Sequence, residues 1–220
     1  MGADGEGELD ERPAHTVTLK AFYLDLTEVT NEAYQKCVDA GVCRVHDKAS
    51  AKVNKVGDDR SFRRPRQPIS AVSWDDAVAY CGWVKKRLPT EAEWEKAARG
   101  TDGRTYPWGK DKPGPLLANH GAPQGGTTPV GNFPAGASPW GVHDLAGNVW
   151  EWCEDADDPD FYTRGPTSNP RNPAPTAEGR RVLRGGSWMY DARSLRTYAR
   201  TSFEAEDRSP DRGFRCVKSP

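Results

Sequence analysis

Apolar and polar residues alternate in part over His15-Thr16-Val17-Thr18-Leu19-Lys20-Ala21-Phe22-Tyr23-Leu24-Asp25, which predicts a strand. The spacing then becomes helical. Thr30 is placed to cap a short helix running to Val38, with Gly41 just past its end. Ser73-Trp74-Asp75-Asp76 has the form of a capping box, and Ala77, Tyr80, Cys81 and Val84 share one face of the helix that follows. Thr90-Glu91-Ala92-Glu93 is a second capping box, for a helix carrying Trp94, Ala97 and Ala98 and stopping at Gly100. Arg181-Val182-Leu183-Arg184 and Gly213–Val217 read as short strands. The intervening stretches lack periodicity. Residues 1–12 form an acidic, Gly-rich arm or edge loop, 44–67 an excursion loop, and 101–139 and 155–179 irregular segments.

Composition fits this picture. The 220 residues include 22 glycines and 18 prolines with 35% hydrophobic content, so loops take a large share. Eight tryptophans and seven tyrosines must then supply much of the buried area. A net charge of −1 gives no general attraction to nucleic acid or an anionic membrane. The basic runs Arg60, Arg63, Arg64, Arg66 and Lys85-Lys86-Arg87 read as a solvated loop and a helix end. No apolar stretch is long enough to insert in a bilayer, and Met1-Gly2-Ala3-Asp4-Gly5-Glu6 lacks the form of a signal peptide.

Cys37 and Cys43 flank a short turn and are near enough in sequence for a local disulfide. Pairing among the five cysteines implies an extracytoplasmic, oxidising location, whereas five reduced and buried thiols fit the cytoplasm; both readings stand. His15, His46, His120 and His143 are scattered and lie in no nucleophile or zinc motif. No Gly-rich phosphate loop follows a strand.

Several blocks recur in an order that identifies a family. They are Phe22-Tyr23-Leu24-Asp25 with Glu28-Val29-Thr30-Asn31, Pro68–Trp74, Arg87-Leu88-Pro89-Thr90-Glu91-Ala92-Glu93-Trp94-Glu95, Tyr106-Pro107-Trp108-Gly109, Gly141–Trp152, Arg184-Gly185-Gly186-Ser187-Trp188 and Gly213-Phe214-Arg215-Cys216. Together they resemble the formylglycine-generating enzyme (sulfatase-modifying factor) superfamily over nearly the whole chain. The resemblance implies a single domain over residues 1–220, α+β in class, with a C-type-lectin-like fold of low regular secondary structure. It implies a disulfide between Cys81 and Cys216. In the family a Met-Gly pair like Met1-Gly2 follows a first strand, so the chain is expected to be trimmed from a longer, bacterial protein, fused to another domain.

The family's oxidising members hold copper(I) with two thiols after the Gly-Gly-Ser motif, and those places fall here on Tyr190 and Leu195. A phenol and an isobutyl group cannot replace thiolates at a soft, low-coordinate metal. Ser187 and Trp150 match other positions of the family groove, Trp150 reading equally as a core aromatic. Asp211 falls where oxidising members often carry Asn. Copper is therefore not expected. Calcium is, through the carboxylates of Asp144 and Glu151 and the carbonyls of Gly147 and Val149, with Asn119 left from an incomplete second site. The competing reading of Asp144–Glu151 is a solvated turn.

Between Trp188 and Gly213 the chain is rich in Tyr, Arg, Ser and Asp. Trp188, Tyr190, Arg193, Arg196, Tyr198 and Arg200 resemble a ligand-binding surface for a protein, a peptide or a small molecule. Each arginine singly reads as well as an internal ion pair. Three functions follow: a calcium-stabilised binding module lacking oxidase activity, a protein-modifying oxidase with a changed metal site, or a variable ligand-binding protein of a diversity-generating retroelement.

Overall fold

Helix α1 (Asn31–Asp39) begins where the Thr30 side chain accepts the Ala33 N–H, and the chain leaves it through Gly41 at φ 72°. Helices α2 (Trp74–Trp83) and α3 (Glu91–Arg99) each start at a reciprocal capping box, Ser73 with Asp76 and Thr90 with Glu93. Arg87 clamps Glu93 with two hydrogen bonds of 2.7 Å, which fixes the acidic first turn of α3 against the loop that enters it. All three helix starts fall where the sequence places them, because each cap lies within three residues of the amide it satisfies. The computed structural model describes residues 1–5, 7–45, 60–174 and 179–220; most of the predicted excursion loop, His46 included, lies outside the described residues.

The strands depart further from expectation. Of the run His15–Asp25 only β1 (Tyr23–Leu24) is a strand, antiparallel to β6 (Val217–Lys218), and upstream the one isolated bridge joins Thr18 to Ser168. The predicted strand Gly213–Val217 is split between β5 (Arg212–Gly213) and β6. Phe214 and Cys216 instead give their carbonyls to the amides of Val29 and Asp25, at 2.9 and 3.0 Å. β3 (Arg180–Arg184) is as predicted, one residue longer. β2 (Trp150–Ala156) and β4 (Arg200–Glu204) were not expected, nor was the short helix α4 (Phe161–Arg164). Among the described residues the main sheet has the order β4-β3-β2-β5, antiparallel except for the parallel pair β2–β5.

β2 is buried on both faces. Trp150 and Trp152 enter the cluster of Tyr80, Leu183 and Phe214, while Cys153 enters the cluster of Trp94, Ala97, Ala98 and Val182 beneath α3. With no solvent face there is no simple alternation to read. The structure joins Cys37 to Cys43 and Cys81 to Cys216, with Cα separations of 5.3 and 5.7 Å, and leaves Cys153 buried and free. The acidic arm is an edge loop folded onto the domain. Gly2 donates its N–H to Glu95 at 3.0 Å, and Glu11 is buried against Arg196. Among the described residues no helix is long and apolar enough to cross a membrane.

Candidate functional site

β3 delivers the chain to Gly185 and Gly186, where only glycine fits. Their φ angles are 98° and 75°, and a Cβ on Gly186 would lie 2.8 Å from both the Ser194 carbonyl oxygen and Leu195 Cδ2. The pair serves tight packing of this turn against the Ser194–Leu195 backbone and side chain. Ser187 follows, fully buried, with its Oγ accepting the Met189 N–H at 3.3 Å and lying 3.5 Å from Asp211 Oδ2.

The next residues form a wall held through its main chain. Ala122 donates to the Trp188 carbonyl at 2.7 Å and Gly121 to the Tyr190 carbonyl at 2.9 Å. Trp188 packs on Phe62, and Tyr190 stands edge-on to Trp150 with ring centroids 5.6 Å apart. Trp150 is a core aromatic, and its ring touches that of Tyr190. Burial, aided by the Asp211 carboxylate, raises the Tyr190 pKa, so its hydroxyl stays a neutral donor around neutral pH. The indole N–H groups of Trp150 and Trp188 are buried and have no partner among the described residues. Leu195, by contrast, is sealed with Tyr106, Ala118 and Ala146. Of the two positions that would need thiols, one is 37% exposed and the other is at 0%.

The arginine-rich segment does not present one surface. Arg193 is exposed, but Arg196 pairs with Glu11 at 3.0 Å and lies over Tyr198, itself buried. Arg200 lies in β4, bonded to Glu91 at 2.8 Å and to Asp157 at 3.3 Å, over the Tyr162 ring. Arg196, Tyr198 and Arg200 are therefore internal and Trp188 is buried, so of the six expected ligand residues Tyr190 and Arg193 alone are open to solvent. Their acidic partners come from the N-terminal arm, α3 and the end of β2, which proximity in sequence could not reveal.

The Asp144–Glu151 loop is neither solvated nor simple. Asp144 and Asn148 have left-handed φ of 58° and 63°, and a Cβ on Gly147 would meet the Asn119 carbonyl oxygen at 2.3 Å. Asp144 accepts the Gly131 N–H at 2.6 Å. Glu151 takes Arg215 as a bidentate partner, both bonds 2.7 Å, and the Trp94 indole N–H at 2.9 Å. Glu28 is fully buried, and burial together with the Asp144 and Glu151 charges pushes its pKa well up. Oε1 of Glu28 and Oδ1 of Asn119 are buried without a partner among the described residues. An oxygen-only, carboxylate-rich site with orphaned acceptors suits a hard cation such as calcium. Proximity in sequence does not bring Glu28 to this loop. It sits in the Glu28-Val29-Thr30-Asn31 block, but its partners lie in a distant loop.

Comparison with known proteins agrees with this architecture. Residues 1–220 match the sulfatase-modifying factor enzyme 1-like domain. The chain is 37% identical over 226 residues to the serine/threonine-protein kinase pkn1 of Chlamydia caviae, covering 97% of this chain but only 35% of that protein. It is 36% identical over 269 residues to the formylglycine-generating enzyme of Streptomyces coelicolor, covering 98% of this chain and 82% of the enzyme. The solved structure of PvdO from Pseudomonas aeruginosa superposes with a TM-score of 0.82 at 26% identity, covering 100% of this chain and 90% of that one. With its low content of regular structure and its Gly-Gly-Ser wall packed on β2, the chain belongs to the sulfatase-modifying factor (formylglycine-generating enzyme-like) family.

Proposed function

We propose that this domain is a calcium-stabilised binding module on the formylglycine-generating-enzyme scaffold, without copper-dependent cysteine oxidase activity. The observation that carries this reading is the pair Tyr190 and Leu195. A phenol stands half-open against Trp150, and a leucine is packed into an apolar cluster where thiolates would be required. The remaining sulfurs do not compensate. Cys216 is tied to Cys81, and Cys153 is buried in the cluster beneath α3 with its thiol pKa pushed well up by burial. The ligand is a protein, peptide or small molecule that meets the half-open Tyr190 and the exposed Arg193. The kinase relative, nearly three times as long as the match, supports a place within a longer polypeptide. Calcium would be held at the Asp144–Glu151 loop by the Asp144 and Glu151 carboxylates and the carbonyls of Gly147 and Val149, and would add stability by binding only the folded state.

Copper(I) titration of the reduced protein, followed by oxygen-dependent turnover of a peptide carrying Cys-x-Pro-x-Arg, tests the reading. No tight copper and no aldehyde are expected. Stoichiometric copper(I) binding that disappears in Cys153→Ser would restore the oxidase.

A further inference from the structure

We propose that Arg63, Arg64 and Arg66, on the corner of chain that leads into α1's neighbour Gln67, take the acidic segment of a partner protein beside the Tyr190 wall; this deepens the binding-module reading and rests on it. The chain uses most of its arginines internally, as Arg184 with Glu95, Arg200 with Glu91 and Arg215 with Glu151 show. Among the described side chains, the guanidinium groups that make no hydrogen bond, ion pair or ring contact are those of Arg63, Arg64, Arg66 and Arg193. All of these are exposed.

The corner that carries the first three is firmly mounted. Asn31, at the start of α1, donates its side-chain N–H groups to the carbonyls of Phe62, Arg64 and Gln67 at 2.9, 3.1 and 3.2 Å. Main-chain bonds run from Glu32 to Pro65, from Gln67 to Arg64 and from Val130 to Arg66, at 3.1, 3.0 and 2.9 Å. Phe62 is buried against Trp188, ring centroids 5.6 Å apart, which sets the corner beside the wall that carries Tyr190 and Arg193. A fixed backbone with free charges is preorganised, so binding has little to order on this side.

Charge points to the kind of partner. A guanidinium meets a carboxylate with two parallel donors, and three of them on one corner suit successive Asp or Glu side chains. Arg63 and Pro65 also line an open hollow of about 470 Å³ against α1. Its acids have partners of their own: Glu32 lies 3.9 Å from Lys36, and Asp39 accepts the Gln35 side-chain N–H at 2.8 Å. A long polyanion fits less well, because the net charge is −1 and Glu32, Asp39 and the exposed Asp191 interrupt the basic surface.

The test is fluorescence anisotropy of a fluorescein-labelled peptide, Asp-Glu-Glu-Asp-Glu-Glu, titrated with the whole chain, with Asn-Gln-Gln-Asn-Gln-Gln and oligothymidylate as comparators. The acidic peptide is expected to bind and to weaken as sodium chloride is raised. It should lose about tenfold in affinity when Arg63→Gln, Arg64→Gln and Arg66→Gln are combined, with the unfolding midpoint unchanged. The salt series on the wild type needs no variant, so a misfolded triple variant leaves an answer. No binding of the acidic peptide, equal binding of the neutral one, tighter binding of oligothymidylate, or unchanged affinity in the folded triple variant overturns the acidic partner. Loss of binding in Tyr190→Ala without loss in the triple variant overturns the corner and leaves the binding module standing. Aldehyde formed on the Cys-x-Pro-x-Arg peptide overturns the binding module and the corner's role with it.

Discussion

Arg184 donates to Glu95 at 2.6 Å with both side chains out of solvent, at the junction between β3 and α3. The same guanidinium satisfies the carbonyls of Thr197, Tyr198 and Ala199, so it pins the segment after the ligand wall to the helix. Removing Glu95 leaves the buried guanidinium only the longer contact to Glu91 at 3.6 Å. Glu95→Ala is expected to lower unfolding free energy by about 3–5 kcal/mol, read by urea denaturation. A loss under 1 kcal/mol would mean that this pair does not hold the segment.

Tyr190 and Leu195 are expected to separate function from stability. Leu195→Ala empties a fully buried position and should cost about 2–5 kcal/mol. Tyr190→Ala, half-open at the wall, should cost about 1 kcal/mol or less while abolishing ligand binding. Paired denaturation curves check the contrast, and equal losses would argue against Tyr190 as a ligand-facing residue.

The two disulfides should contribute unequally. Cys37–Cys43 closes a separation of 6 residues and Cys81–Cys216 one of 135. Loop-closure entropy then gives about 2 and about 5 kcal/mol of stabilisation. Scanning calorimetry of Cys37→Ser/Cys43→Ser and Cys81→Ser/Cys216→Ser should show the larger drop in Tm for the second pair.

Asp155 introduces a pH dependence. Burial pushes its pKa up to about 7, although the amides of Glu91 and Asn172 donate to its carboxylate at 2.7 and 2.6 Å. A carboxyl whose folded pKa is raised binds more protons folded than unfolded, so its contribution is full below the unfolded value near 4 and is lost as pH rises through about 7. Unfolding free energy measured from pH 4 to 8 should fall through that window, and Asp155→Asn should flatten the fall. An unchanged slope in the variant would assign the effect to other groups.

The helix starts and the Gly-Gly-Ser wall were legible in the sequence because their determinants are local. Thr30, Ser73 and Thr90 act on amides three residues away, and Gly186 is fixed by its own φ. β2 was not legible, since Glu151 and Asp155 are as buried as Trp150 and Trp152 and erase the polar face that marks a strand. For Arg200 the sequence left ligand contact and internal ion pair open, because its partner Glu91, which decides for the second, lies on another element. The burial of Glu28 beside Asn148 was not legible for the same reason, the two being distant in sequence.

The wall from Trp188 to Arg193 is fastened by amides of Gly121 and Ala122, and Met189, Tyr190, Asp191 and Arg193 project outward from it. A segment gripped by its backbone keeps its path when those outward side chains are exchanged. The outward face of this wall can therefore change by single substitutions at four positions, each tolerated by the scaffold, while a change in the ion pairs buried behind it would unsettle the fold. The same division makes these four codons the natural targets for a randomised library on this domain.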